Sequence, residues 1–239
     1  WGLRHLLIVG GDFPSLTTTS YYRDVARALV DRGVSPAVEI APQTTESYTA
    51  LVQAGVCGLT LYQETYNESL YARLHPRGPK RDYRFRLNAP ENACRAGMRA
   101  VNIGALLGLD DWRRDAFFTG LHASYLQRRC PETEIGVSLP RMRPHAGGYQ
   151  PEYTVADRHI VQIMTALRLF MPRAGITIST RESAGFRDRL LPLGVTRMSA
   201  GSCTTVGGHT DDEKSVGQFD ISDERSVPGI RKGDSRTLL

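Results

Sequence analysis

At 239 residues, with 41% apolar and 23% charged side chains, the chain has the size and composition of one large α/β domain or two small ones. No uninterrupted apolar run approaches the roughly 20 residues of a membrane helix, and no signal peptide opens the sequence. The expectation is a cytoplasmic protein without membrane contact.

The net charge of +5 is mild and unevenly spread. Over residues 73–86, His75, Arg77, Lys80, Arg81, Arg84 and Arg86 are interleaved with Tyr83 and Phe85. Because the charge is local, this stretch reads as a solvated basic loop over a site for anionic small molecules, not as a nucleic-acid interface. Cys57, Cys94, Cys130 and Cys203 form no C-x-x-C pair and no zinc spacing, so neither a metal site nor a disulfide framework is expected.

In chain order, residues 6–9 form a compact apolar strand running into Gly10, Gly11 and Asp12. Glycines there let a backbone approach a ligand, and Asp12 can accept from an amine, although the same triplet is a turn signal. Residues 17–20 offer caps for a helix whose Tyr22, Val25, Ala26, Leu29 and Val30 fall at helical spacing before Gly33. Residues 37–40 read as a second strand, and Tyr48, Leu51 and Val52 give the following helix a buried face. The third strand, residues 58–62, discharges into Gln63, Glu64, Thr65 and Tyr66, a dense hydrogen-bonding edge. After the basic loop, a short helix over 91–98 leads to a fourth strand over 100–107. Gly104 and Gly108 would there leave room for a flat group against the backbone.

Asp110 and Asp111 can cap the next helix, which carries Phe118, Leu121 and Tyr125 as an apolar stripe. A fifth strand over 134–139 ends in Pro140, Arg141, Met142, Arg143 and Pro144. Thr154 with Asp157 approximates a capping box for a long helix bearing Ile160, Ile163, Met164, Leu167 and Phe170. The sixth strand opens at Gly175 and stops at Ser179, Thr180, Arg181, Glu182 and Ser183, just before helical periodicity over 186–191. Residues 195–200 are the seventh strand, followed by Gly201 and Ser202.

Seven strands alternating with about six helices imply a parallel sheet with right-handed crossovers, one repeat short of an eightfold barrel. The fold class is therefore α/β, a (β/α) TIM-type barrel with seven of eight repeats, the count leaving open which one is missing. It is expected over residues 1–218, with a polar tail over 219–239. The open seam should lie between residues 6–9 and 196–200.

No P-loop, G-x-S-x-G elbow or H-E-x-x-H is present. His122 reads as a packed or surface histidine, while His145 follows a strand end and stays open as a site residue. In parallel α/β folds the carboxyl ends of the strands face the ligand. Here they carry Asp12, Gln63, Glu64, Arg141, Arg143, Arg181, Glu182, Ser199 and Ser202. Mixed signs suit a zwitterion, with an arginine for the carboxylate and an acid for the ammonium. Arg181 has the planar fork for a carboxylate; a salt bridge closing the rim is the alternative.

Val9-Gly-Gly-Asp12, Tyr62-Gln-Glu-Thr-Tyr66, Leu74-His-Pro-Arg-Gly-Pro-Lys80, Ile103-Gly-Ala-Leu-Leu-Gly108, Ser138-Leu-Pro-Arg-Met-Arg143, Ser179-Thr-Arg-Glu-Ser183 and Gln218-Phe-Asp220 occur in this order. Together they resemble the aromatic amino-acid lyase branch of the radical S-adenosylmethionine enzymes, over residues 6–223. Within that branch the likeness is to the tyrosine lyases of thiamine thiazole biosynthesis. The resemblance implies S-adenosylmethionine and a 4Fe-4S iron–sulfur cluster as cofactors, with L-tyrosine or a related aromatic amino acid as substrate. In these lyases a 5′-deoxyadenosyl radical attacks the substrate's amino group, and Cα–Cβ cleavage gives dehydroglycine (2-iminoacetate) and p-cresol. A thiazole synthase is implied as a pathway partner.

The family's C-x-x-x-C-x-x-C loop, which follows its first barrel strand, is absent. The resemblance therefore implies that the first strand is the missing one, that cluster ligands are not in this chain, and that it reads as a fragment inactive alone. Carried over by motif, Gly10, Gly11 and Asp12 match the segment that holds the methionyl amino group, with Asp in place of Glu. Glu64 and Arg86 are implied for the ribose and methionyl carboxylate, and Gly104 to Leu106 for the adenine. Arg181 with Ser199, and beside them Gln63 and Arg143, are implied for the amino-acid substrate. Other readings are the tyrosine lyase of hydrogenase maturation, a tryptophan lyase, and a non-catalytic barrel that binds an amino acid or nucleotide.

Overall fold

The computed structural model describes residues 4–13, 15–143 and 150–199. Seven strands form one sheet in sequential order: β1 (His5–Val9), β2 (Ser35–Glu39), β3 (Gly58–Tyr62), β4 (Ala100–Gly104), β5 (Glu134–Ser138), β6 (Gly175–Ile178) and β7 (Arg197–Met198). Every neighbouring pair is parallel, the register running from Leu7 beside Ala37 to Ile178 beside Met198. The crossovers are helical: α1 (Thr19–Val30), α2 (Thr45–Gln53), α3 (Glu68–Leu74), α4 (Tyr83–Arg95), α5 (Trp112–Arg129), α6 (Asp157–Phe170) and α7 (Ala184–Leu190). β1 and β7 are the two edges, and no ladder joins them among the described residues. The order is that of a (β/α) barrel one repeat short of closure, with its seam where the sequence puts it.

The period of two along each strand sorts the side chains. Val38, Leu59, Leu61, Val101, Ile103, Ile135, Val137, Ile176 and Ile178 join Tyr48, Leu51, Leu126, Ile160 and Met164 from the helices in one buried cluster. Each large side chain buried there contributes about 1.5–3 kcal/mol. The opposite, concave face carries Ala37, Glu39, Gly58, Thr60, Tyr62, Asn102, Gly104, Gly136, Ser138 and Thr177. It is small or polar rather than a packed interior, and the strands' apolar investment lies on the helix side.

Several local expectations are corrected. The stretch over 73–86 is not a solvated loop. Asn67 caps α3 by accepting from the Leu70 N–H at 3.1 Å, Pro79–Arg81 form a 3-10 turn, and α4 begins at Tyr83. The Asp82 carboxylate caps α4 through the Phe85 N–H at 2.8 Å. That helix passes through Pro90 and so starts earlier than the expected 91. Strand β4 stops at Gly104 rather than 107, because Leu106 and Leu107 bond instead to Glu64 and Pro140. Asp111 alone caps α5; Asp110 accepts from the Asn67 side chain at 2.9 Å. Thr154 does not cap α6: the N-cap is Ala156, whose N–H donates to Nδ1 of His159 at 3.1 Å. The seventh strand shortens to Arg197–Met198. His145, Ser202, Cys203, the Gln218-Phe-Asp220 motif and the proposed boundary at 218/219 lie outside the described residues.

Candidate active site

The carboxyl ends of the strands build a mouth whose floor is the concave face. Asn102 donates from Nδ2 to Ser138 Oγ at 2.6 Å, and its Oδ1 is buried without a hydrogen-bond partner. Gly104 has a packing reason of its own, since a Cβ there would stand 2.4 Å from the Ser138 carbonyl oxygen. Gly10 is similarly constrained, because a Cβ would overlap the Tyr22 hydroxyl at 1.8 Å. Gly11 sits in a turn closed by the Phe13 N–H on its carbonyl at 3.0 Å.

Glu64 is the centre of the next layer. Its φ of +71° makes it the only positive-φ residue other than glycine among the described residues. Lys80 Nζ donates to its Oε1 at 2.9 Å and an Arg86 terminal nitrogen at 3.2 Å. Burial alone would raise its pKa, but Lys80 and Arg86 more than offset this and hold it below the usual value. Arg86 also donates through Nε to the Tyr62 carbonyl at 2.7 Å, while its Nη1 is buried with no acceptor. Asp12 reaches the same lysine at 3.7 Å. The basic residues singled out in the sequence thus divide: Lys80 and Arg86 turn into the mouth, and Arg84 pairs with Glu68 at the surface.

The turn after Glu64 is anchored from below. Asp115 is fully buried, and its Oδ1 accepts from the Thr65 hydroxyl at 3.0 Å and the Tyr66 N–H at 2.8 Å. Tyr66 in turn bonds His122 Nδ1 at 2.9 Å. Burial pushes the pKa of His122 down to about 4, so it stays a neutral packed histidine. These residues border a separate cavity of about 460 Å³ between α4 and α5, lined by Tyr66, Tyr83, Glu91, Phe118, His122 and Tyr125.

On the far side of the mouth, three of the strand-end charges are spent on one another. Arg141 clasps both oxygens of buried Glu182, Nε donating at 2.8 Å, and also donates to the Val155 carbonyl at 2.7 Å and to Asp157 at 2.6 Å. Arg143 donates to Glu182 at 2.9 Å. Arg187 donates to the Glu182 carbonyl at 3.1 Å. Arg141 and Glu182 therefore form a rim clamp. Ser199 Oγ accepts from the Thr180 N–H at 3.3 Å, fixing the backbone that presents Arg181. Gln63 is buried with Nε2 lacking a hydrogen-bond partner. Leu106 contributes its N–H to the Glu64 carbonyl at 2.7 Å.

One acidic residue of this mouth escaped the sequence reading. Glu39 ends β2, in register with Thr60 and Asn102 on the concave face. Burial raises its pKa; Arg181 is the strongest opposing charge, with Glu64, Arg86 and Lys80 also within reach. Arg181 also acts on the Tyr62 phenol, whose pKa burial raises. The only signal in the sequence was the polar position closing an apolar strand, Ala37-Val-Glu39, with no hydroxyl or arginine beside it.

No group of three or more His, Cys, Asp or Glu placed to hold a metal occurs among the described residues, and Cys57, Cys94 and Cys130 are free thiols. The described residues do not supply an iron–sulfur site.

Residues 138–232 match the Biotin and Thiamin Synthesis associated domain. The chain is 39% identical over 230 residues to 2-iminoacetate synthase of Escherichia coli K12, covering 96% of this chain and 61% of that protein. To 2-iminoacetate synthase of Salmonella typhimurium it is 36% identical over 225 residues, covering 94% and 60%. The structure superposes on the FeFe-hydrogenase maturase HydG of Carboxydothermus hydrogenoformans with a TM-score of 0.84 at 35% identity, over 95% of this chain and 52% of that one. The likeness therefore extends along nearly the whole sequence, and the seven-stranded (β/α) fold of this chain superposes on part of the maturase. The chain spans about three fifths of the length of the curated relatives it matches.

Proposed function

We propose that this chain forms the substrate-holding barrel of a radical S-adenosylmethionine tyrosine lyase, which cleaves the Cα–Cβ bond of L-tyrosine to 2-iminoacetate and p-cresol for thiamine thiazole formation in the cytoplasm. The observation that carries the reading is the 39% identity to a 2-iminoacetate synthase over a mouth whose arginine and acidic side chains suit a zwitterion. No described helix is long and apolar enough to cross a membrane.

The residues divide the work by chemistry. Arg181 takes the substrate carboxylate in a two-pronged grip, and Ser199 keeps its backbone in place. Arg86, with a buried Nη1 that lacks an acceptor, fits the methionyl carboxylate of S-adenosylmethionine. Asp12 and Glu64 supply acceptors for its ammonium and ribose hydroxyls. When bound, that cofactor supplies the 5′-deoxyadenosyl radical. The chain's own contribution is orientation, worth several kcal/mol of barrier when an amino nitrogen rather than a ring must face the reacting centre. Gln63 and Arg143 border the amino acid. Arg143 does so while held to Glu182.

The maturase likeness supports a second reading, tyrosine cleavage in hydrogenase cofactor assembly. The higher identity to the synthases favours the first. Anaerobic incubation of the protein, joined to a cluster-bearing relative's N-terminal region, with L-tyrosine and S-adenosylmethionine tests it. Release of p-cresol with 2-iminoacetate is expected. Release of p-cresol accompanied by carbon monoxide and cyanide would favour the second reading, and indole products from tryptophan, without p-cresol from tyrosine, would overturn both.

A further inference from the structure

Resting on the amino-acid reading above, we propose that Glu39 receives the α-ammonium group of the substrate, opposite Arg181 on its carboxylate. The argument is first one of elimination. A zwitterion needs an acid at the mouth, and the other acids there are either paired within the protein or, like Asp12 and Glu64, also assigned to the cofactor. Glu64 is held by Lys80 and Arg86. Asp12 shares that lysine at 3.7 Å. Glu182 is clasped by Arg141 and Arg143, and Asp157 is taken by Arg141. The Glu39 carboxylate makes no hydrogen bond and no ion pair with any described residue.

Position agrees with this. Glu39 is the last residue of β2, at the carboxyl end where barrel strands meet their ligands, and its side chain stands on the concave face beside Thr60. It is half-buried, so its charge loses hydration that no described residue replaces by direct contact. A surface acid would keep its water, and a structural one would have a partner as Glu182 does. An ammonium group brought by a ligand supplies both hydrogen bonds and countercharge. Arg181 is the cation that acts on Glu39 most strongly, so the pair offers the two ends of one α-amino acid a fixed spacing between β2 and β6. Glu64, Arg86 and Lys80 complete the charged surroundings.

The test compares two ligands by calorimetry on the whole chain: L-tyrosine, and 3-(4-hydroxyphenyl)propanoate, which lacks only the ammonium. The wild-type chain should prefer tyrosine by about tenfold or more, the worth of one charge-assisted hydrogen-bonded contact. Glu39→Gln, isosteric and uncharged, should bring that ratio close to one while leaving the propanoate's affinity unchanged or tighter. Glu39→Asp, which keeps the charge on a shorter stem, should give an intermediate ratio and serves if the Gln variant does not fold. A tenfold preference that survives in both variants overturns the role of Glu39 and leaves the amino-acid site standing. A wild-type chain that binds neither ligand, or binds both equally, overturns Glu39 as well; only the loss of both ligands also removes the amino-acid reading.

Discussion

Leu106 donates its backbone N–H to the carbonyl of Glu64 at 2.7 Å, and this bond pins a glutamate that sits at φ +71°. A non-glycine residue there costs on the order of 1 kcal/mol or more, which the surroundings must repay. Two ion pairs to the side chain and one bond to the carbonyl do so, so the acid is held at a fixed point of the mouth. Leu106→Pro removes the N–H and should destabilise the fold by about 3 kcal/mol, whereas Leu106→Ala keeps it and should cost less. Urea unfolding of both variants separates the two. Equal losses would mean that the side chain, not the backbone bond, matters.

Asp115 introduces a pH dependence. Burial pushes its pKa up to about 6 from an ordinary 3.8, despite the hydrogen bonds from Tyr66 and Thr65, and its Oδ2 is buried without a partner. The native state therefore binds the proton more tightly than the unfolded chain. Its contribution is full below pH 3.8 and is lost as pH rises to about 6, a span worth roughly 3 kcal/mol. Asp115→Asn retains an acceptor for Thr65 and Tyr66 and carries no charge. Its stability, followed by thermal unfolding from pH 4 to 7, should lack this component of the slope. An unchanged slope would assign the proton to another group.

The rim clamp makes a different prediction. Glu182→Gln leaves the buried Arg141 guanidinium facing a neutral amide, and breaking one side of a buried pair costs about 3–5 kcal/mol. Because Arg141 also holds Asp157 and the Val155 carbonyl, the loss should loosen the start of α6. Faster amide hydrogen exchange over residues 155–160 is the expected signature. Loss of tyrosine binding with unchanged exchange would instead make Glu182 a ligand-contacting residue.

These cases also mark what the sequence could and could not disclose. The βα repeat was legible because each strand is a short apolar run closed by a polar cluster, and the gap in the barrel followed from counting. The concave face was not, because Thr60, Asn102 and Thr177 punctuate apolar runs in a way that only pairing register converts into one surface. Arg181 and Glu182 are neighbours of equal promise in sequence. Packing separates them, tying Glu182 to Arg141, while the charge of Arg181 acts on Glu39 and Tyr62 without a direct bond to either. Asp115 and Glu39 carried no local motif: Asp115 finds its partners about 50 residues away, and Glu39 has no hydrogen-bond partner among the described residues.

The edge strand β1 exposes Leu7 and Val9, 40% and 68% accessible, beside backbone groups that pair with no second strand among the described residues. Such an edge recruits other chains. Val9→Lys should raise the monomeric fraction of the isolated chain, as measured by sedimentation across concentration, without changing its helical circular dichroism. Association unaffected by this substitution would place the self-contact elsewhere, with exposed Phe117 and Leu121 on α5 the next residues to alter.

The last prediction concerns Arg181 itself. It follows a β-branched strand and precedes α7; its own N–H donates to Ser179 Oγ at 3.3 Å, and the Thr180 N–H donates to Ser199 Oγ at the same distance. These bonds set the backbone from which the guanidinium projects, and its charge acts on Glu39 and Tyr62. A planar fork grips a carboxylate through two parallel bonds, while an ammonium offers a point charge. Arg181→Lys should therefore weaken L-tyrosine by about tenfold and leave S-adenosylmethionine, assigned to Arg86 on the β3 side, nearly unaffected. In a chain completed with a cluster region, 5′-deoxyadenosine should form in excess over p-cresol, because a loosely held substrate leaves its nitrogen out of line with the radical. Tyrosine affinity and product ratio equal to wild type would make Arg181 a rim salt bridge, and Arg143, one third exposed beside Glu182, would become the residue to test.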